Sequence, residues 1–403
     1  VKIPLAINGI RKMDINSIYE TISTGQLTMG QKVKEFENAM SSYLKVKHFI
    51  MVNSGSSANL AVVEALLRPT VGPAKLNIGD SVLVPAVAWP TTIWPLVQLG
   101  LKPVFVDVDP QTLAIDFSAA QETIDKQGEI KAIFAIHPLG YAIDNQLVDN
   151  FCKKNNLIQI NDVCESLGSW RGETHAGTTG IASTYSFYFS HHITTMEGGG
   201  IATDSDVLAD DLRAIRSHGW SRDRSDVEEW QKNIGAMESK FQFITTGFNI
   251  RPMEIQAAIG VEQLKDLDNF IERRINIANQ VSQSLNGTKL EVIDAGYFKN
   301  NNKNPFHSWM LIPIRINKNL ETSEKAEFIR ALENAGIESR PVLTGNFIRQ
   351  PAIKKLFPEL LPEMFPVAEK VSTNYFMVGC HHELTDEQIK YLCENLRNLA
   401  STI

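Results

Sequence analysis

Cysteine is scarce: Cys152, Cys164, Cys380 and Cys393 are the only four in a chain of 403 residues. None forms a C-x-x-C pair, which argues against a disulfide framework and against a zinc site, so no metal is expected and a reducing cytoplasm is the expected setting. An excess of positive charge is missing too. The formal net charge is -7, which argues against nucleic acid or an anionic membrane as a generic partner, since such binders rely on basic patches and counterion release. Long apolar runs are also absent, and no stretch approaches the roughly eighteen residues that a membrane span requires. The opening VKIPLAINGIRKMD has no basic segment followed by an apolar run, so neither export nor anchoring is expected.

What is present is ample core-forming material, 43% hydrophobic against 21% charged, in a length that favours two domains over one. From about residue 46, short β-rich runs alternate with amphipathic stretches: HFIMVNSG then SANLAVVEALL, DSVLVPA then WPTTIWPLVQLG, KPVFVDVD, KAIFAIHP, LIQINDVC and TYSFYFS. Runs buried on both faces and separated by helices predict a mainly parallel α/β sheet with ligand groups at the strand ends. Between Met253 and Leu285 apolar residues recur at three- and four-residue spacing, which predicts one or two long helices leaving the sheet. Beyond them HSWMLIPIRI reads as a strand, EKAEFIRALENAG as a helix ended by Gly336, and LTDEQIKYLCENLRNL as a helix capped by Thr385. The expected division is an N-terminal segment over 1–30, a large α/β domain over 31–265 and a smaller α+β domain over 266–403.

The segment SFYFSHHITTMEGGGIAT, starting at Ser186, carries the most information. Its Ser-Phe start, Thr-Thr middle and Glu-Gly-Gly end resemble the active-site loop of the DegT/StrS-type sugar-nucleotide aminotransferases, which hold pyridoxal phosphate through a lysine six residues before the Glu. Counting back from Glu197 lands on His191. The resemblance runs in order through TISTGQLTMGQKVKEFENAM, VNSGSSANL, VPAVAWPTT, INDVCESLG, GFNIRPMEIQAAIG and HELTDEQI, nearly the whole chain. It implies an aspartate-aminotransferase-like, fold type I architecture: a large, mostly parallel sheet domain and a smaller C-terminal α+β domain.

The resemblance also implies roles. Gly55, Ser56 and Ser57 open a helix after the first strand, where backbone N–H groups and the helix dipole suit a phosphate. Ser186 matches a family hydroxyl on that phosphate, and Asn249 matches an asparagine reaching it from a neighbouring subunit, which implies a homodimer with shared active sites. Asp162 stands where the family keeps the pyridine nitrogen protonated, making the ring an electron sink. Trp89 matches the aromatic that stacks on the ring; the alternative is core packing beside Trp94. Glu165 stands where relatives commonly carry glutamine and is placed to orient the cofactor or His191. For the sugar nucleotide, Arg251, His307 and Arg340 are candidates, since arginine grips a diphosphate in a fork. His218 is a further candidate, and His192 is open between a neighbour of the base and a structural imidazole.

Imidazole cannot make the covalent link that lysine makes, so resting cofactor is expected to be noncovalent. The departure resembles the branch of sugar-nucleotide 3-dehydratases, which remove the C3 hydroxyl of a nucleoside-diphospho-4-keto-6-deoxyhexose with pyridoxamine phosphate. His191, neutral near pH 7 as an ordinary imidazole, would be the base. The scattered cysteines offer no iron-sulfur ligand set, which favours the type that recovers its cofactor with L-glutamate. Two alternatives stand beside this: a sugar aminotransferase using another lysine, although none occurs between Arg171 and Arg222, and a noncatalytic cofactor-binding regulator.

Overall fold

In a computed structural model that describes residues 1–232, 241–299, 304–318 and 321–403, the runs read as strands become the backbone of one large sheet. Its strands are β1 (His48–Val52), β2 (Ser81–Pro85), β3 (Lys102–Val106), β4 (Ala132–Ile136) and β5 (Ile158–Asp162). A small ribbon of β6 (Trp170–Arg171) and β7 (Thr174–His175) follows, then β8 (Ala182–Ser186) and β9 (Gly199–Thr203) return to the sheet. The seven-stranded order is β1-β9-β8-β5-β4-β2-β3. Neighbours from β3 to β8 are parallel, while β9 lies antiparallel between β8 and β1. Six strands therefore point one way, and their C-terminal ends open on one edge. The central strands are buried along their whole length, β4 and β9 at every residue, as expected of a sheet covered on both faces.

The Met253–Leu285 pattern resolves into two helices, Glu254–Leu264 and Leu267–Ser284. After them come β10 (Leu290–Val292), β11 (Leu311–Ile316), β12 (Ser339–Arg340) and β13 (Tyr375–Gly379), which form a four-stranded sheet in the order β10-β11-β13-β12. Thr385 caps the last helix, Asp386–Ala400, by accepting the Gln388 N–H at 3.2 Å. Gly336 follows the helix Thr322–Asn334 with a φ of 75°, a left-handed turn that glycine takes without a Cβ clash. The small sheet has its own core, in which Ile3 joins Trp309, Ile312, Phe376 and Leu392. Val342, Phe347, Ile353 and Val371 instead pack into the core of the large sheet. Among the described residues no helix is long and apolar enough to cross a membrane.

Candidate active site

Where β1 ends, Ser54 turns the chain into helix Gly55–Leu67 and caps it, its Oγ accepting the Ser57 N–H at 3.1 Å. Space at this N-terminus is tight: a Cβ on Gly55 would lie 2.6 Å from Ser186 Cβ and 3.0 Å from Cys164 Sγ. Gly55, Ser186 and Cys164 are thus brought together from the ends of β1, β8 and β5. Ser56 is exposed and Ser57 half-buried, with Ser54 Oγ donating to Ser57 Oγ at 2.9 Å. The helix offers free N–H groups and two hydroxyls to an anion.

Asp162, the last residue of β5, is buried and held on both carboxylate oxygens. Its Oδ2 accepts from Asn59 Nδ2 at 2.9 Å and Thr92 Oγ1 at 2.7 Å, and its Oδ1 accepts the Cys164 N–H at 3.1 Å. Asn59 is itself fixed, accepting from Thr184 Oγ1 at 2.6 Å. Sequence reasoning missed Asn59 and Thr92; the available signal was a lone Asn inside the apolar run SANLAVV. Trp89, just before helix Pro90–Gln98, is 55% exposed, whereas Trp94 is the one that packs inward, 5.4 Å from Phe347. Core packing therefore does not explain Trp89, which leaves an aromatic face open beside the Asp162 network.

Three residues beyond Asp162, the half-buried Glu165 accepts the Leu139 N–H at 2.9 Å. Loss of water around it, reinforced by the Asp162 charge and only partly offset by that N–H, pushes its carboxyl up to about 7. Leu139 presents its N–H from a left-handed φ of 55°, a conformation that a leucine adopts only under constraint.

The chain between β8 and β9 is a pinned loop. Phe187 N–H donates to Gly198 C=O and Thr195 N–H to Phe187 C=O, both at 2.9 Å. Gln263 Oε1 accepts the Thr194 N–H at 3.2 Å, and Gln256 Nε2 donates to Glu197 C=O at 2.6 Å. His191 sits half-buried in this loop, its N–H donating to Tyr188 C=O at 3.0 Å. Its Nδ1 lies 3.5 Å from Ser190 Oγ, and Nε2 has no protein partner among the described residues. Burial, then the nearby Arg274 charge, pushes the imidazole down to about 4. His192 is a wall residue, fully buried with Nε2 3.2 Å from Ser308 O.

Asn249 is exposed, on a segment tied to the sheet by the Asn53 N–H, which donates to Ile250 C=O at 3.0 Å. His218 is exposed with a φ of 66°, and a bridge between Ser217 and Asn249 places the two segments side by side. Arg251 is half-buried and has no ion-pair partner among the described residues. His307 is buried and stacked on Trp309 at 3.8 Å, and its Nδ1 accepts the Trp309 N–H at 3.2 Å. Arg340 is exposed on β12, opposite Met377, and no hydrogen bond or ion pair among the described residues ties it to the other site residues.

The set fits a pyridine ring bearing a phosphate. There is an anion-binding helix end kept open by Gly55, a buried carboxylate for a protonated ring nitrogen, and an exposed indole for the ring face.

Comparison with known proteins points the same way. A model of the DegT/DnrJ/EryC1/StrS aminotransferase family matches residues 8–397. The chain is 36% identical over 399 residues to the GDP-4-keto-6-deoxy-D-mannose 3-dehydratase of Yersinia pseudotuberculosis, covering 98% of each. It is 35% identical to the protein of the same name from Escherichia coli O55:H7, covering 98% of this chain and 100% of that one. A crystal structure of GDP-4-keto-6-deoxymannose-3-dehydratase with a trapped PLP-glutamate geminal diamine superposes with a TM-score of 0.88 at 33% identity, over 98% of this chain and all of that one.

Proposed function

The chain belongs to the DegT/DnrJ/EryC1/StrS aminotransferase family, and we propose that it is a pyridoxal/pyridoxamine phosphate-dependent 3-dehydratase of a nucleoside-diphospho-4-keto-6-deoxyhexose, with His191 as base and glutamate as amino donor. One observation carries the reading: the loop between β8 and β9 offers an imidazole, and no lysine occurs between Arg171 and Arg222. GDP-4-keto-6-deoxy-D-mannose, the substrate in the names of two relatives, is the first sugar to try.

When bound, the cofactor supplies an amine for the sugar's 4-keto carbon and a ring that accepts electrons. Gly55, Ser56, Ser57 and Ser186 bind the phosphate, Trp89 covers the ring, and Asp162 holds the ring nitrogen protonated. His191, uncharged at neutral pH, would take the proton released at the cofactor's amine-bearing carbon on its free ring nitrogen and return it to the departing C3 hydroxyl, which would leave as water. The burial that makes this imidazole a reluctant base makes its conjugate acid a ready donor. Glutamate would be the source of the amine that the bound cofactor carries. The sum balances: keto sugar plus glutamate gives 3-deoxy-4-keto sugar, 2-oxoglutarate and ammonia, the water lost at C3 matching the net water consumed in converting glutamate to 2-oxoglutarate and ammonia.

The active unit in this reading is a homodimer in which Asn249 reaches the partner's phosphate. Supporting it, Asn249 is exposed, and the site loops carry Trp89, Tyr188, Phe189 and Met196 with large apolar surfaces in solvent.

The test is a product balance with pyridoxamine phosphate, glutamate and GDP-4-keto-6-deoxymannose. Equal amounts of ammonia and 2-oxoglutarate are expected, with a loss of at least ~100-fold in His191→Asn. An amino sugar without ammonia would make the protein an aminotransferase, and cofactor binding with no product would make it a regulator.

A further inference from the structure

Near the middle of helix Leu267–Ser284, Arg274 is only 1% exposed. No carboxylate pairs with it among the described residues. Its Nη1 donates to the carbonyls of Trp309 at 3.2 Å, Met310 at 2.9 Å and Cys380 at 2.9 Å, and its Nη2 to the carbonyl of His191 at 3.3 Å. Nε has no partner among the described residues. Stripping an ionised group of water without a counter-ion costs several kcal/mol, and a methionine would fill the same space without that penalty. Packing therefore does not account for an arginine here. Its acceptors do: they belong to three separate segments, the loop between β8 and β9, the lead-in to β11 and the exit from β13.

We propose that Arg274 is the positioning residue for His191, tying the backbone of the base to the edge of the small sheet and placing a permanent positive charge beside it. The inference rests on the reading of His191 as the base. The titratable and charged groups around the pair are His192 on the same loop, His307 before β11, Cys380, His381 and His382 after β13, and Arg11, which acts on His382. Arg274 opposes protonation of His191, His192, His381 and His382 alike. Burial is the larger reason that the cluster is uncharged, and a fixed cation that cannot lose its proton near neutrality adds to it.

Arg274→Lys, Arg274→Met and His191→Asn separate the possibilities, each as the full chain loaded with pyridoxamine phosphate and assayed with glutamate and GDP-4-keto-6-deoxymannose. Lysine keeps the charge but not the fork: kcat is expected to fall ~10- to 100-fold with KM within about two-fold, and the acid limb of kcat/KM stays where it is in wild type. Methionine removes the charge as well, so the acid limb moves up by about one pH unit. If Arg274→Met gives no folded protein, Arg274→Lys decides alone, provided its melting temperature and cofactor absorbance match wild type. Wild-type kcat in Arg274→Lys, or an unmoved acid limb in folded Arg274→Met, while His191→Asn is inactive, overturns the role of Arg274 and leaves the base in place. Full activity in His191→Asn overturns the base and this inference with it.

Discussion

At the scale of single residues, two acids one turn apart are set to opposite tasks by their surroundings. Asp162 receives three hydrogen bonds, while Glu165 receives one from Leu139 and is pushed up to about 7. Below that pH its carboxyl is neutral and resembles the glutamine of aminotransferase relatives; above it, a second anion stands beside Asp162. Activity is therefore expected to fall above pH 7 in wild type, and Glu165→Gln is expected to lose that basic limb while keeping kcat at pH 6 within about three-fold. A pH–rate profile of both proteins checks this, and a variant that still falls off near pH 7 would assign the limb to another group. Folding linkage has a matching sign: a raised carboxyl contributes stability below about 4.5 that is lost as pH rises through about 7. His191 could be singled out from the sequence because an imidazole stands where the resemblance of the loop implies an amine. Asn59, Thr92 and Arg274 were not legible, because their partners lie 103, 70 and 83 residues away, beyond any local pattern.

Among the elements, the start of helix Gly55–Leu67 shows how little room the site leaves. Alanine at Gly55 would favour the helix by up to about 1 kcal/mol, but its Cβ would meet Ser186 Cβ at 2.6 Å, so the helix end and the end of β8 must part. Gly55→Ala is expected to weaken binding of pyridoxal phosphate by ~10-fold while shifting the melting temperature by only a few degrees. Absorbance titration reads the affinity, and unchanged binding would show that Gly55 does not shape the cradle. The same crowding explains the one strand of the large sheet that the sequence concealed. β1, β2, β3, β4, β5 and β8 advertise themselves as apolar runs, but β9 begins with glycines, which read as a loop. A Cβ on Gly199 would lie 2.3 Å from the Ser54 carbonyl carbon, and one on Gly200 would lie 2.2 Å from Phe49 Cζ. Those glycines are demanded by neighbours that the chain meets only on folding, and pairing on both sides by β8 and β1 supplies what their propensity lacks.

For the molecule as a whole, the change to a second sheet after Met253 was legible from helical spacing. The return of Val342, Phe347 and Val371 to the large core was not, since an apolar residue carries no mark of which core it joins. The same interior sets a limit on acid tolerance. Of the nine histidines, His137 and His175 are pushed down to about 4, His307 to about 3 and His381 to about 2, all chiefly by burial. Each contributes stability that is fully present above the ordinary imidazole value of 6.5 and is lost as pH falls toward its folded value, because the unfolded chain takes the proton first. The loss is about 1.4 kcal/mol per pH unit for each group. Glu165 acts in the opposite direction, but as one half-buried group it cannot offset four. The protein is therefore expected to lose stability as pH falls below 6.5, with a urea midpoint lower at pH 5 than at pH 7. A midpoint flat across that interval, followed by circular dichroism, would mean that water or charge reaches these imidazoles in the folded state.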